Sequence, residues 1–141
     1  MPFQKFTKGR NETCSSIFAR KMTRDELSSL VKNASKFELF DEKVVLEHKK
    51  YLVIGVAIYS RDDLELLDRI IQCGCDIGYP IFIYDVLNAS DMEDINKVFH
   101  GIGKVYQTPM MMLYQEHAEQ SLWGFEARKR IEEIFEQCGS S

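Results

Sequence analysis

The sequence predicts an α/β fold: a central mixed sheet flanked by helices, with an extra helix on its N-terminal side. Three observations carry this. Residues 51–59 (YLVIGVAIY) form a nearly unbroken apolar run that passes at Ser60 straight into an amphipathic helical pattern. Residues 80–86 (PIFIYDV) form a second apolar run, so that strand, helix and strand follow at the spacing of a βαβ unit, which requires a parallel pair. Residues 109–114 and 120–124 then flank a short polar turn, which adds an antiparallel hairpin and makes the sheet mixed.

Taken in order, residues 1–22 show no apolar periodicity and mix Lys, Arg, Ser, Thr and Gly, so they read as a flexible basic arm. The single domain is expected over 23–141. Thr23-Arg24-Asp25-Glu26 has the form of a capping box, in which the threonine side chain and the glutamate side chain each satisfy the other's backbone amide. Leu27, Leu30, Val31 and Ala34 follow on one helical face. Residues 36–50 admit two readings: short strand pieces at Phe37, Leu39 and 44–46, or a helical turn or edge built on the Glu and Lys content. The 51–59 run is too short for a buried helix and is rich in β-branched and aromatic residues, which fits a central strand covered on both faces. Ser60 then caps a helix, with Asp63 three residues on, and Leu64, Leu67, Ile70 and Ile71 as its buried stripe. Gly74 or Gly78 ends it. After the 80–86 strand, Ser90-Asp91-Met92-Glu93 opens another helix with Met92, Ile95, Val98 and Phe99 inward, closed by Gly101 and Gly103. Strands are expected over 109–114 and 120–124, joined by a turn at 116–119. A last helix over 125–137 turns Ile131, Ile134, Phe135 and Cys138 to one side.

The 141 residues suffice for one domain with a substantial core. The net charge of −4 is unevenly spread. Residues 1–24 hold six basic residues and one acid, whereas the remainder holds twelve basic and twenty-one acidic residues. A globular part with that acidic excess argues against nucleic-acid binding, which needs a broad basic surface. No run approaches the roughly 18 apolar residues of a membrane span, so no membrane partner is expected. The chain has no secretory h-region, which points to the cytoplasm and to four reduced cysteines, Cys14, Cys73, Cys75 and Cys138. The basic, acid-poor start also faintly resembles an organellar transit peptide, which leaves import open. Asn11-Glu12-Thr13 has the form of a glycosylation acceptor, without meaning in a cytoplasmic protein.

Two details sharpen the element order. Thr108-Pro109 immediately precedes the strand at 109–114, and Gly124 stands between the last strand and the last helix. Over residues 37–138 the chain resembles the thioredoxin superfamily. The resemblance implies a cis-proline at Pro109 facing the helix that starts at Ser60. It also implies a chemical departure. The reactive Cys-x-x-Cys of the family falls on Ser60 and Asp63, and the buried acid that assists proton transfer there falls on Ile54. A serine at that corner has no neighbouring base and forms no mixed disulfide, and both Ser60 and Asp63 are accounted for as a helix cap.

The remaining constellations favour structural roles. Cys73-Gly74-Cys75 would place two thiols near a helix C-terminus, where the dipole raises a thiol pKa. On a helix the two would point roughly 200° apart. If the helix has ended at Gly74, the second objection falls, so a displaced redox pair remains the alternative. His48, His100 and His117 lie in no ligand spacing with a cysteine pair, and neither a metal nor a cofactor is expected. Gly101-Ile102-Gly103 follows a helix and is no dinucleotide fingerprint. Met110, Met111 and Met112 read as a strand covered on both faces, Trp123 as packing on the last strand, and Arg128-Lys129-Arg130 as a solvated helix face. The expectation is a redox-inactive module that holds a protein or peptide partner in a groove formed by Tyr59, Ser60, Arg61, Thr108 and Pro109. The alternative is a divergent thiol–disulfide oxidoreductase using Cys73 and Cys75. A third reading is a structural subunit whose basic arm docks on an acidic assembly.

Overall fold

The computed structural model describes residues 23–34, 36–41, 48–73, 76–86, 95, 98, 99, 107–116 and 118–140. Helix α1, Arg24–Lys32, begins with the expected capping box: the Glu26 amide donates to Thr23 Oγ1 at 3.1 Å, and the Thr23 amide donates to Glu26 Oε1 at 3.2 Å. Leu27 and Val31 are buried on its inner face. Of the two readings of residues 36–50, the strand holds at its start. Strand β1, Phe37–Leu39, lies parallel to a strand far along the chain; residues 44–46 lie outside the described residues.

Strand β2, Lys50–Val56, is buried from Tyr51 onward. It stops three residues before the end of the apolar run, because the Ser60 amide turns back to the Ala57 carbonyl at 2.9 Å. Helix α2, Arg61–Cys73, follows, and strand β3, Ile81–Asp85, pairs parallel with both β1 and β2. Strand β4, Met110–Gln115, runs antiparallel to β2, with Gly55 opposite Met110. Strand β5, Ala118–Trp123, pairs antiparallel with β4 and starts two residues earlier than expected. The turn is that tight because Glu116 adopts φ 47°, in the left-handed region. Helix α3, Gly124–Ser140, starts one residue earlier and ends later than the 125–137 expectation.

Among the described residues, five strands form one mixed sheet in the order β1-β3-β2-β4-β5, flanked by three helices. The faces follow the two-residue strand period. Leu52, Ile54, Val56 and Met111 join Leu27 and Val31 of α1, Leu64 and Leu67 of α2, and Ile131 and Phe135 of α3 in one cluster. Tyr51, Val53, Met110 and Met112 form a second cluster on the opposite face with Ile95 and Phe99. The three methionines therefore serve both faces, as their alternation requires. Most of the helix expected to open at Ser90 lies outside the described residues, as do Gly101 and Gly103. Within it the Phe99 amide donates to the Ile95 carbonyl at 2.8 Å, a helical bond. The Phe99 ring approaches β2 so closely that a Cβ on Gly55 would lie 2.8 Å from it, which accounts for a glycine inside a buried strand. The arm at 1–22 lies outside the described residues.

Candidate functional site

At the end of β2 the chain makes a corner that brings three segments together. Ser60 caps α2 as expected: the Asp63 amide donates to Ser60 Oγ at 3.3 Å, and the Leu64 amide donates to the Ser60 carbonyl at 3.1 Å. Tyr59 projects outward, and the exposed Arg61 reaches Glu65 at 3.4 Å along the helix. Opposite, the Thr108–Pro109 peptide bond is cis, Pro109 is buried and Thr108 is half-buried. The start of α3 closes the third side. The Gly124 amide donates to the carbonyls of Pro109 (2.9 Å) and Gln107 (3.2 Å). Gly124 itself adopts φ 65°, and a Cβ there would run into the Gln107 side chain, so the position calls for glycine on two counts.

Asp63 is more than a cap. Its carboxylate does not reach back to the Ser60 amide; it turns inward, where only 1 % of the residue is exposed, and its Oδ2 accepts the Ala57 amide at 3.0 Å. Its Oδ1 is buried without a hydrogen-bond partner among the described residues. Burial pushes the carboxyl above its ordinary range. The hydroxyl of Thr108, the Ala57 amide, the hydroxyl of Ser60 and the charge of Arg128 each pull the other way. The Asp63 carboxyl thus ties the end of β2 to the cap of α2, and Thr108 beside the cis-proline lies near enough to lower its pKa. The signal was present in the sequence: Asp63 precedes Leu67 by four residues and Ile70 by seven, so the helical period puts it on the buried stripe.

Two readings of the α3 surface change. Arg128 is not part of a solvated face: its Nη1 donates to the Asp62 carbonyl at 3.1 Å, which fastens α3 to the first turn of α2, and its Nε lies 3.8 Å from Glu132. Arg130 donates from Nε to Gln120 Oε1 at 3.4 Å. Only Lys129 of the three points to open solvent. Trp123 ends β5 with 37 % of its surface exposed, and Phe125, which sequence reasoning passed over, is 77 % exposed.

The structure therefore brings Tyr59, Ser60, Arg61, Thr108 and Pro109 to one end of the sheet. Cys73 is not among them. It closes α2, roughly 18 Å along the helix from the corner. Its thiol is half-buried and in no disulfide; Cys75 lies outside the described residues. His48 packs against the Phe82 ring at 5.8 Å, and His100 and His117 lie outside the described residues. Among the described residues no group of three or more His, Cys, Asp or Glu side chains could hold a metal ion, and no helix is long and apolar enough to cross a membrane. Neither a protein-family model nor a curated protein matches the chain.

Proposed function

We propose that this chain is a thioredoxin-like binding module without redox activity, residing in the reducing cytoplasm, that holds an extended segment of a protein partner between Tyr59-Ser60 and Thr108-Pro109. The strand order β1-β3-β2-β4-β5 and the cis bond before β4 support the thioredoxin-like reading. A serine and a buried aspartate at the corner support the absence of thiol chemistry there, since neither forms a mixed disulfide.

One observation carries the binding role. Among the described residues three large hydrophobic side chains are exposed, Tyr59 (53 %), Trp123 (37 %) and Phe125 (77 %), and all three lie at the sheet end where β2 stops and β4 begins, Tyr59 just past β2 and the other two on either side of Gly124. Exposed aromatics gathered on one side of a small domain are what a partner surface requires. Beside them, neither the amide nor the carbonyl of Thr108 has a backbone partner among the described residues, while the Pro109 carbonyl is taken by Gly124. An extended chain laid along Thr108 would gain main-chain pairing, and the aromatics would supply pockets for its side chains.

The test is selection of binders from a library of linear peptides, followed by affinity measurement on variants. Peptides selected on the native chain should lose at least about fivefold in affinity for Tyr59→Ala and for Phe125→Ala, the loss expected of an interface anchor. The Thr108 amide should gain hydrogen-exchange protection in the complex. Unchanged affinity in both variants would move the partner surface elsewhere. In the same preparation, a disulfide substrate should be reduced no faster than by a thiol-only control. Turnover that disappears in Cys73→Ser or Cys75→Ser would replace the module by an oxidoreductase.

A further inference from the structure

At the opposite end of the sheet, where β2 begins and β4 ends, lies a cavity of about 370 Å³. Its walls come from the 76–79 loop, from Lys50, Leu113 and Gln115 on the sheet, and from one face of α3. Two cationic residues line it, Lys50 and Arg130. Lys50 holds its Nζ 4.4 Å above the Tyr79 ring. Arg130 lines it from α3, and its charge pulls down the Tyr79 phenol that burial pushes above its ordinary range. Neither cation has a carboxylate partner among the described residues. The one acid in the wall, Asp76, is engaged: its carboxylate accepts the Gly78 amide at 2.8 Å and pairs with Lys36 at 3.2 Å.

Two cationic residues without a carboxylate partner among the described residues thus line one cavity, in a part of the chain whose acids outnumber its bases. Arg130 Nε donates to Gln120, and the other polar neighbours are the Tyr79 phenol, the Gln115 and Gln137 amides, and the Asp76 carboxylate, which pairs with Lys36. Such a set complements an anion with several acceptor oxygens. A guanidinium and an ammonium together match the charge of a phosphate monoester, about −1.5 to −2 near neutral pH, better than the single charge of a carboxylate. We propose that this cavity is a binding site for a small organic phosphate, held between Lys50 and Arg130. The site is separate from the corner at Tyr59 and Thr108, and stands whether or not that corner binds a peptide.

The proposal is tested on the full chain, labelled with ¹⁵N, by titration with three probes that share a carbon skeleton: glycerol 3-phosphate, glycerate and glycerol. Glycerol 3-phosphate at low salt should shift the amides of Lys50, Tyr79, Gln115 and Arg130 saturably, with a dissociation constant of about 1 mM or tighter. Glycerate should bind more weakly and glycerol should not bind. Lys50→Gln and Arg130→Gln should each weaken glycerol 3-phosphate by about tenfold, whereas Lys129→Gln, a neighbouring exposed lysine outside the cavity, should leave it unchanged. Since both substitutions alter partly exposed polar groups, far-UV spectra should match the native chain. The titration of the native chain decides the matter should either variant fail to fold. Absence of saturable shifts at these amides overturns the proposal. Equal or tighter binding of glycerate overturns the phosphate assignment, and equal weakening by Lys129→Gln reduces the effect to general surface charge.

Discussion

Asp63 carries its charge where the surroundings solvate it least. One oxygen has the Ala57 amide, the other is buried without a partner among the described residues, and burial outweighs the hydrogen bonds and the Arg128 charge in setting the direction of its pKa. A carboxyl whose folded pKa lies above the ordinary 3.8 binds its proton more tightly in the fold than in the unfolded chain. Its favourable contribution is therefore complete below that value and is lost as pH rises through the raised folded pKa. Asparagine keeps a carbonyl oxygen for the Ala57 amide and replaces the unpartnered, charge-bearing oxygen with a neutral N–H₂. Asp63→Asn should accordingly raise the thermal midpoint at pH 7, and the gain should vanish as pH is lowered toward 3.8. Thermal melts of both proteins across that range check it. A variant less stable than the native chain at pH 7 would mean that the ionised carboxylate does necessary work, with Arg128 as its counter-ion. Asp68 lies equally buried on the same helix, at 1 % exposure, and keeps contacts of its own.

Among the elements, α1 offers the cleanest separation of local from tertiary stabilisation. Its cap is exposed and reciprocal, so Thr23→Ala removes one acceptor and leaves the core untouched. The expected loss is about 1 kcal/mol, read as a shift of a few degrees in the melting midpoint. A loss several times larger would show that the 23–26 turn also fastens the chain before it. This element was legible because its signal is local: a capping box followed by a regular apolar stripe. The same holds for β2 and α2, whose apolar run and helical period lie side by side, and for β3. Strand β1 was half-legible, because three residues show no period, and Phe37 becomes a strand only by pairing with Ile81 more than forty positions away. The boundary errors share one cause. Alternation and periodicity locate the middle of an element, whereas its ends are set by single hydrogen bonds, such as Ser60 turning back to Ala57 and Gly124 reaching Pro109. The candidate corner was legible in its parts, Ser60 and Thr108-Pro109. Arg128 and Phe125 were not, because their roles depend on how α3 docks, and nothing within 125–130 encodes that.

At the scale of the whole molecule, the sheet separates two ends with different chemistry. The corner at Tyr59, Trp123 and Phe125 is aromatic, and the cavity at Lys50 and Arg130 is cationic. The helical layer that joins them begins with α1. Leu27 and Val31 are 2 % and 1 % exposed and share the cluster of Ile134 and Phe135, while the rings of Phe37 and Phe135 stack at 6.5 Å. This arrangement makes the domain boundary testable by truncation. The sequence places it at residue 23, with the basic stretch before it contributing charge rather than core. Removing residues 1–22 should therefore shift the thermal midpoint little. Removing residues 1–36 should do far more, because it strips two fully buried aliphatic side chains from the cluster and uncovers the Phe37–Phe135 stack. At about 1.5–3 kcal/mol for each buried aliphatic side chain, the second truncation forfeits at least about 3 kcal/mol, a large share of the 5–15 kcal/mol that holds a domain of this kind together. Denaturant melts of the two truncated chains beside the full one measure both steps. A large loss on the first cut would place part of residues 1–22 in the core and move the boundary upstream. A small loss on the second would make α1 an appendage, and the cluster it shares with α3 would then have to close without it.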